Sequence, residues 1–246
     1  MRLLLAVLAV ILLSCPATAQ TVTLDKLIPA GDPSVSGRIL QYVVLLTVLS
    51  LAPGLLIMVT SFTRLVIAFS FLRSGLGLQS TPANLVLVSL ALFLTFFVMA
   101  PVFDQAKSQG LDPYMTGKIT EAEAYDRITG PFRSFMTRNV REKDLTLFEQ
   151  MAAERKIDIP QQGEIDLRVL VPAFMISELR RGFEIGFLIA LPFLVIDLIV
   201  SMLTMSMGMM MLPPTVISLP FKVLFFVLID GWHLLAGSLV NSFMPP

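Results

Sequence analysis

Apolar residues in this chain fall in long blocks rather than in alternation. From Ile39 to Leu72 nearly every position is apolar, with breaks only at Pro53-Gly54 and at Arg64. Ala83 to Phe103 forms a second block. Gly182 to Asn241 holds two more, joined by a short hinge, Met207 to Pro214, that carries Gly208 and Pro213-Pro214. A bilayer-depth helix needs roughly 20 apolar residues, so each arm of the last stretch is long enough to cross. Glycine and proline break helices, which makes the hinge the tip of a hairpin. The Ile39–Leu72 block exceeds one straight span. It predicts a helix kinked at Pro53 that runs on into a second part carrying Arg64 and ending at Arg73. A turn follows at Gly75, Gly77 and Pro82, and the next helix is expected to end near Pro101. The fold class predicted is all-α: integral membrane helical hairpins with about four apolar helical segments, 39–103 forming the first hairpin and 182–246 the second.

The polar stretches complete this plan. Residues 1–19 have the form of a secretory signal: Arg2, an apolar run from Leu3 to Leu13, and the small-residue site Ala17-Thr18-Ala19. Leu12-Leu13-Ser14-Cys15 also resembles a lipoprotein cleavage box, although Ser14 and Pro16 fit it poorly. Residues 20–38 contain Pro29, Gly31, Pro33 and Gly37 and predict an extended segment. Residues 104–181 hold 12 of the 18 basic and 13 of the 18 acidic residues. They predict a helical insert with an amphipathic stripe through Phe132, Phe135, Met136, Val140, Leu145, Leu147 and Phe148. Arg64 and Arg73 flank the short loop between the first two helices, which the positive-inside rule puts in the cytoplasm. The long insert is then extracytoplasmic.

Composition narrows the function classes. The chain is 55% hydrophobic, with a mean hydropathy of +0.81. Soluble domains are roughly 45–50% apolar even when glycine is counted. A formal net charge of zero gives no reason to expect nucleic acid. One cysteine and one histidine offer no zinc set. No nucleophile–base arrangement and no phosphate-binding glycine loop is present, so no enzyme and no cofactor are expected, and energy for any transport must come from partners or the membrane gradient.

The second hairpin carries the candidate chemistry. A charge at the bilayer centre costs roughly 2.5–3.5 kcal/mol on insertion scales, so intramembrane ionisable residues are usually paired or functional. Counted from Met211, Asp197 lies 14 residues back and Lys222 lies 11 forward. At about 1.5 Å per residue these are roughly 21 and 17 Å from the tip. Antiparallel arms put them at similar depth, and a buried Asp197–Lys222 pair is the economical expectation; the alternative has each facing water or another subunit. Asp230 lies nearer an end, beside Gly231 and an interfacial Trp232. Arg64 either snorkels to the head groups or has a function. Met202, Met205, Met207, Met209, Met210 and Met211 place 6 of the 14 methionines around the hinge. Three readings stay open for them: filling of a membrane core, a pliable seal around a pore, and a soft Cu(I) site.

Two long motifs change the balance. Pro172 to Phe187 reads PAFMISELRRGFEIGF, and Pro220 to Trp232 reads PFKVLFFVLIDGW. With SFTR at Ser61–Arg64, LALFLTFF at Leu90–Phe97 and GMMMLPP at Gly208–Pro214, the chain resembles the FliP/SctR family of type III secretion export-gate proteins. The likeness runs through essentially the whole mature chain. It implies a homo-oligomer, a pentamer in the family, assembled with FliQ-like and FliR-like membrane subunits around a channel. It also implies FlhA-like and FlhB-like export components as neighbours and unfolded proteins as substrates. Met209, Met210 and Met211 match the family's channel constriction, which favours the seal. Phe135, Phe148 and Glu178 are implied as subunit contacts. The signal peptide resembles the flagellar branch, in the bacterial inner membrane and basal body, more than the injectisome branch. A copper permease and a purely structural scaffold for a rod or ring are the alternatives from other classes.

Overall fold

The computed structural model describes residues 35–78, 82–155, 165–208 and 213–244. The signal segment and Met209, Met210 and Met211 lie outside the described residues. Among those described, every regular element is a helix. The chain divides into two compact units at Ala52/Pro53, and the helix α1 (Val35–Met58) runs across that point. It carries an apolar stretch from Tyr42 to Leu51.

The compact part begins after α1. The helix continues through Pro53-Gly54, and the chain breaks at Val59–Ser61, ahead of Arg64. Then follow α2 (Phe62–Gly75) and α3 (Asn84–Ala106). Pro101 does not end α3 but lies inside it, which corrects the boundary read from the sequence. A proline removes one ladder bond, whereas ending the helix in an apolar setting would leave several backbone groups without water or partner. A π-helical turn, Lys107–Leu111, prolongs the helix into α4 (Asp112–Met115). Gly110 in that turn meets the next helix closely: a Cβ there would lie 2.5 Å from Ile128 Cγ1 and 3.0 Å from the Ile128 backbone nitrogen.

The polar region forms α5 (Glu121–Asn139) and α6 (Glu142–Glu154). The start of α5 is a capping box. Thr120 Oγ1 accepts from the Glu123 backbone N–H, and the Glu123 carboxylate accepts from the Thr120 backbone N–H. That backbone hydrogen bond holds the Glu123 carboxyl below the usual glutamate range. A longer helix, α7 (Leu167–Ser206), then runs unbroken for 40 residues through Pro172 and Pro192. Asp166 caps it by accepting from the Arg168 backbone N–H, and the Arg168 side chain holds the Asp166 carboxyl low. At about 1.5 Å per residue α7 is roughly 60 Å long, twice a bilayer core. The last apolar part of the polar insert and the first arm of the hairpin are therefore one rod.

The second arm is not one helix. It divides into α8 (Pro214–Leu228) and α9 (Gly231–Asn241), bent by 64°. Asp230 sits in the left-handed region, φ 51° and ψ 51°, which ends α8. Gly231 lies against the Phe226 ring so closely that a Cβ would come within 2.2 Å of it. Asn84–Met115 and Leu167–Ser206 are long and apolar enough to cross a membrane, and α8 with α9 is a third span if the bent pair counts as one.

Two hydrophobic clusters hold these helices. One gathers Leu65, Phe69 and Leu72 with Leu87, Phe193, Phe226 and Leu239. The other gathers Met99 and Val102 with Phe135, Met136, Leu170 and Phe174. α2 packs closely on α7. Gly182, Gly186 and Ala190 recur every four residues on α7 and face Ile67, Phe71 and Gly75. Small residues at this spacing let two membrane helices come close. A Cβ on Gly186 would lie 2.6 Å from the Phe71 ring. Gly186→Ala is therefore expected to lower stability by about 1–2 kcal/mol, because overpacking costs about 1–3 kcal/mol and the helix gains up to about 1 kcal/mol from alanine. An unchanged or raised thermal unfolding midpoint in detergent would contradict this contact.

Candidate functional site

The α7–α8 hairpin is built around buried charge. Lys222, 4% exposed, donates to Asp197 Oδ2 at 2.6 Å and to the Gly75 carbonyl at 3.0 Å. Ser218 donates to the other oxygen, Asp197 Oδ1, at 2.6 Å. Ser218 and Lys222 are four apart on α8 and so share a face. The Gly75 carbonyl lies at the C-terminal end of α2, the negative end of the helix dipole, which suits an ammonium. One lysine thereby joins three helices. Asp197 keeps 30% of its side chain exposed, so the joint is open on its acid side.

A second joint lies nearer the start of α7. Arg64 and Glu178 are 1% and 0% exposed and form a two-pronged ion pair: Nε donates to Oε2 at 2.9 Å and Nη2 donates to Oε1. The remaining nitrogen, Nη1, donates to the Ser242 carbonyl at 3.0 Å and to Ser242 Oγ at 2.9 Å. The guanidinium also lies over the Phe243 ring, 3.6 Å from its centre. Every face of this buried cation has a partner, the condition under which a buried ion pair is tolerated. Arg64 thus ties α2 to α7 and to the segment after α9. Beside it, Ser177 is fully buried. Its Oγ accepts from the Arg141 backbone N–H at 3.0 Å and lies 2.7 Å from Asp144 Oδ2, which fastens the start of α6 to α7.

The other residues named from the sequence are dispersed. Phe135 is 4% exposed in the second cluster, with its ring against Phe174 and Phe243. Glu178 is consumed inside the chain by Arg64. Phe148 is half-buried on α6. Trp232 stands edge-on to Phe226, with ring centres 5.3 Å apart. Of the methionines near the tip, Met202, Met205 and Met207 are exposed, at 73%, 63% and 70%. Gly208 has φ 71°, a conformation that turns the chain out of α7. Among the described residues no cluster of His, Cys, Asp or Glu is arranged to hold a metal. Sequence reasoning missed the Arg64–Glu178 pair and the Gly182–Gly186–Ala190 stripe. The stripe carried a signal, its spacing of four; the pair carried none beyond two charges in apolar surroundings.

Long apolar helices, closely approached at small residues and locked by buried ion pairs, define an all-helical membrane protein. Its sequence assigns it further. The profile of the FliP family matches residues 45–239, which takes in both ion pairs and α7 and α8 whole. The flagellar biosynthetic protein FliP of Rhizobium meliloti is 60% identical over 238 residues, 97% of each chain. That of Agrobacterium fabrum is 60% identical over 235 residues, 95% of this chain and 96% of the relative. That of Bacillus subtilis is 51% identical over 215 residues, 87% of this chain and 96% of the relative. The chain belongs to the FliP family.

Proposed function

We propose that this chain is a subunit of the flagellar protein export gate in the bacterial inner membrane, at the basal body. Several copies, five on the family pattern, surround a channel together with FliQ-like and FliR-like subunits. FlhA-like and FlhB-like components lie close by. Unfolded flagellar proteins pass through, and the chain acts as a conduit and not as an enzyme. The observation that carries this reading is the family match across residues 45–239, with relatives named as flagellar biosynthetic proteins at 60% identity over nearly their full length.

The mechanism proposed is steric. Met209, Met210 and Met211 close the narrow point of the channel, and their flexible thioethers yield to chains of varied sequence. The support is the setting of the loop: it leaves α7 at Gly208, beside Met205 and Met207, whose side chains find no cover within one chain. The Asp197–Lys222–Gly75 joint ties α7, α8 and α2 together. Phe148, half-buried, is the subunit-contact candidate with surface left to offer a neighbour. Glu178 and Phe135 act on such contacts through the positions of α7 and α5. Replacing Met209, Met210 and Met211 with alanine is expected to raise ion conductance of the assembled gate several-fold in planar bilayers. An unchanged conductance contradicts the seal.

A further inference from the structure

One groove lies apart from the Asp197–Lys222 joint. It has a volume of about 680 Å³ and lies where α3, α5 and α7 meet the segment after α9. Its lining includes the apolar residues Phe97, Val98 and Pro101 of α3 and Met244. It also includes two cations, Arg138 at the end of α5 and Arg181 on α7. None of the lining residues is acidic. Neither guanidinium makes an ion pair or a side-chain hydrogen bond among the described residues.

The level of the groove along the helices is informative. On α3 the exposed apolar surface of Phe93, Phe96 and Phe97 runs into it, and the first charged residue, Asp104, comes just beyond Pro101. On α7, Arg180 and Arg181 lie beside Glu184, which pairs with Arg180, and exposed apolar residues continue through Phe183, Phe187 and Leu188. α3 therefore changes from apolar to charged at the groove, where α7 carries its arginine pair. That change marks the edge of the hydrocarbon layer, where phosphate groups of lipids lie.

We propose that this groove binds an anionic phospholipid, with the phosphate held by Arg138 and Arg181 and an acyl chain lying along Phe97, Val98 and Met244. Guanidinium groups take phosphate oxygens through paired charge-assisted hydrogen bonds. The apolar lining continuous with α3 selects a lipid over a free anion.

The test uses the full chain purified in a neutral detergent, titrated with phosphatidylglycerol, phosphatidylcholine or inorganic phosphate, with bound species counted by native mass spectrometry. Phosphatidylglycerol should be retained in preference to phosphatidylcholine by a factor on the order of ten or more, as two interfacial basic residues allow. R138Q/R181Q should bring the two lipids to parity. V98W, which crowds the apolar lining and leaves both arginines in place, should lose phosphatidylglycerol as well and decides the matter if the double variant fails to fold. Equal retention of the two lipids by the native chain would overturn the proposal, as would a preference that survives either variant. Displacement of the lipid by inorganic phosphate would also overturn it, by assigning the arginines to a free anion.

Discussion

Glu178→Leu should destabilise the chain by about 3–5 kcal/mol, because it leaves the Arg64 guanidinium buried without its carboxylate. The bonds from Nη1 to Ser242 remain, and they satisfy only one of the three nitrogens. Arg64→Met in the same chain should restore most of the loss, since a buried ion pair is often replaced by apolar side chains at little net cost. Denaturant unfolding in mild detergent measures both variants. A single-variant loss below about 1 kcal/mol would contradict the account, as would a double variant that loses the sum of the two single effects. The C-terminal segment supplies a second reading of the same experiment. Ser242 and Phe243 are held by Arg64, so Arg64→Met alone should loosen residues 242–244 and speed their backbone hydrogen exchange.

The second large effect concerns the hairpin and is asymmetric. Asp197→Leu strands Lys222, a 4%-exposed ammonium left with only the Gly75 carbonyl, and should cost about 3 kcal/mol. Lys222→Met leaves Asp197 with 30% exposure and its bond from Ser218, so water and the hydroxyl take up part of the charge. That loss should be smaller, about 1–2 kcal/mol. Yield of assembled gate after detergent extraction should fall in the same order. A larger loss for Lys222→Met than for Asp197→Leu would show that the lysine is not the buried member of the joint.

Which parts of this arrangement could be read before the structure follows from distance along the chain. Asp197 and Lys222 lie in two arms joined by one short hinge, so counting residues from the tip puts them at equal depth, and the structure places them 2.6 Å apart. Arg64 and Glu178 are 114 residues apart on helices that share no turn. Nothing in the sequence sets the register of α2 on α7 except Gly182, Gly186 and Ala190, and their meaning emerges only once Ile67 and Phe71 are seen against them. The breaks were legible in type but not in place. Pro101 looks like a stop and lies within a helix, whereas Asp230, an ordinary residue for a helix end or a bilayer edge, takes the left-handed conformation that divides α8 from α9. An apolar environment favours continued backbone hydrogen bonding, which lets prolines pass and makes a single reversed φ a stronger punctuation mark. The charged stretch 104–181 was visible as a change of composition. Its structural boundary was not, because α7 begins at Leu167 and crosses from polar to apolar surroundings without a turn.

The central claim is that Met209, Met210 and Met211 touch the cargo of a channel formed by several copies of this chain. A photocrosslinking amino acid at each of these positions, in cells exporting a substrate stalled part-way by a folded fusion, measures that contact directly. The account predicts adducts between substrate and each of the three positions, and none from Phe148 on α6. Adducts absent from all three positions while the stalled substrate occupies the gate would contradict it.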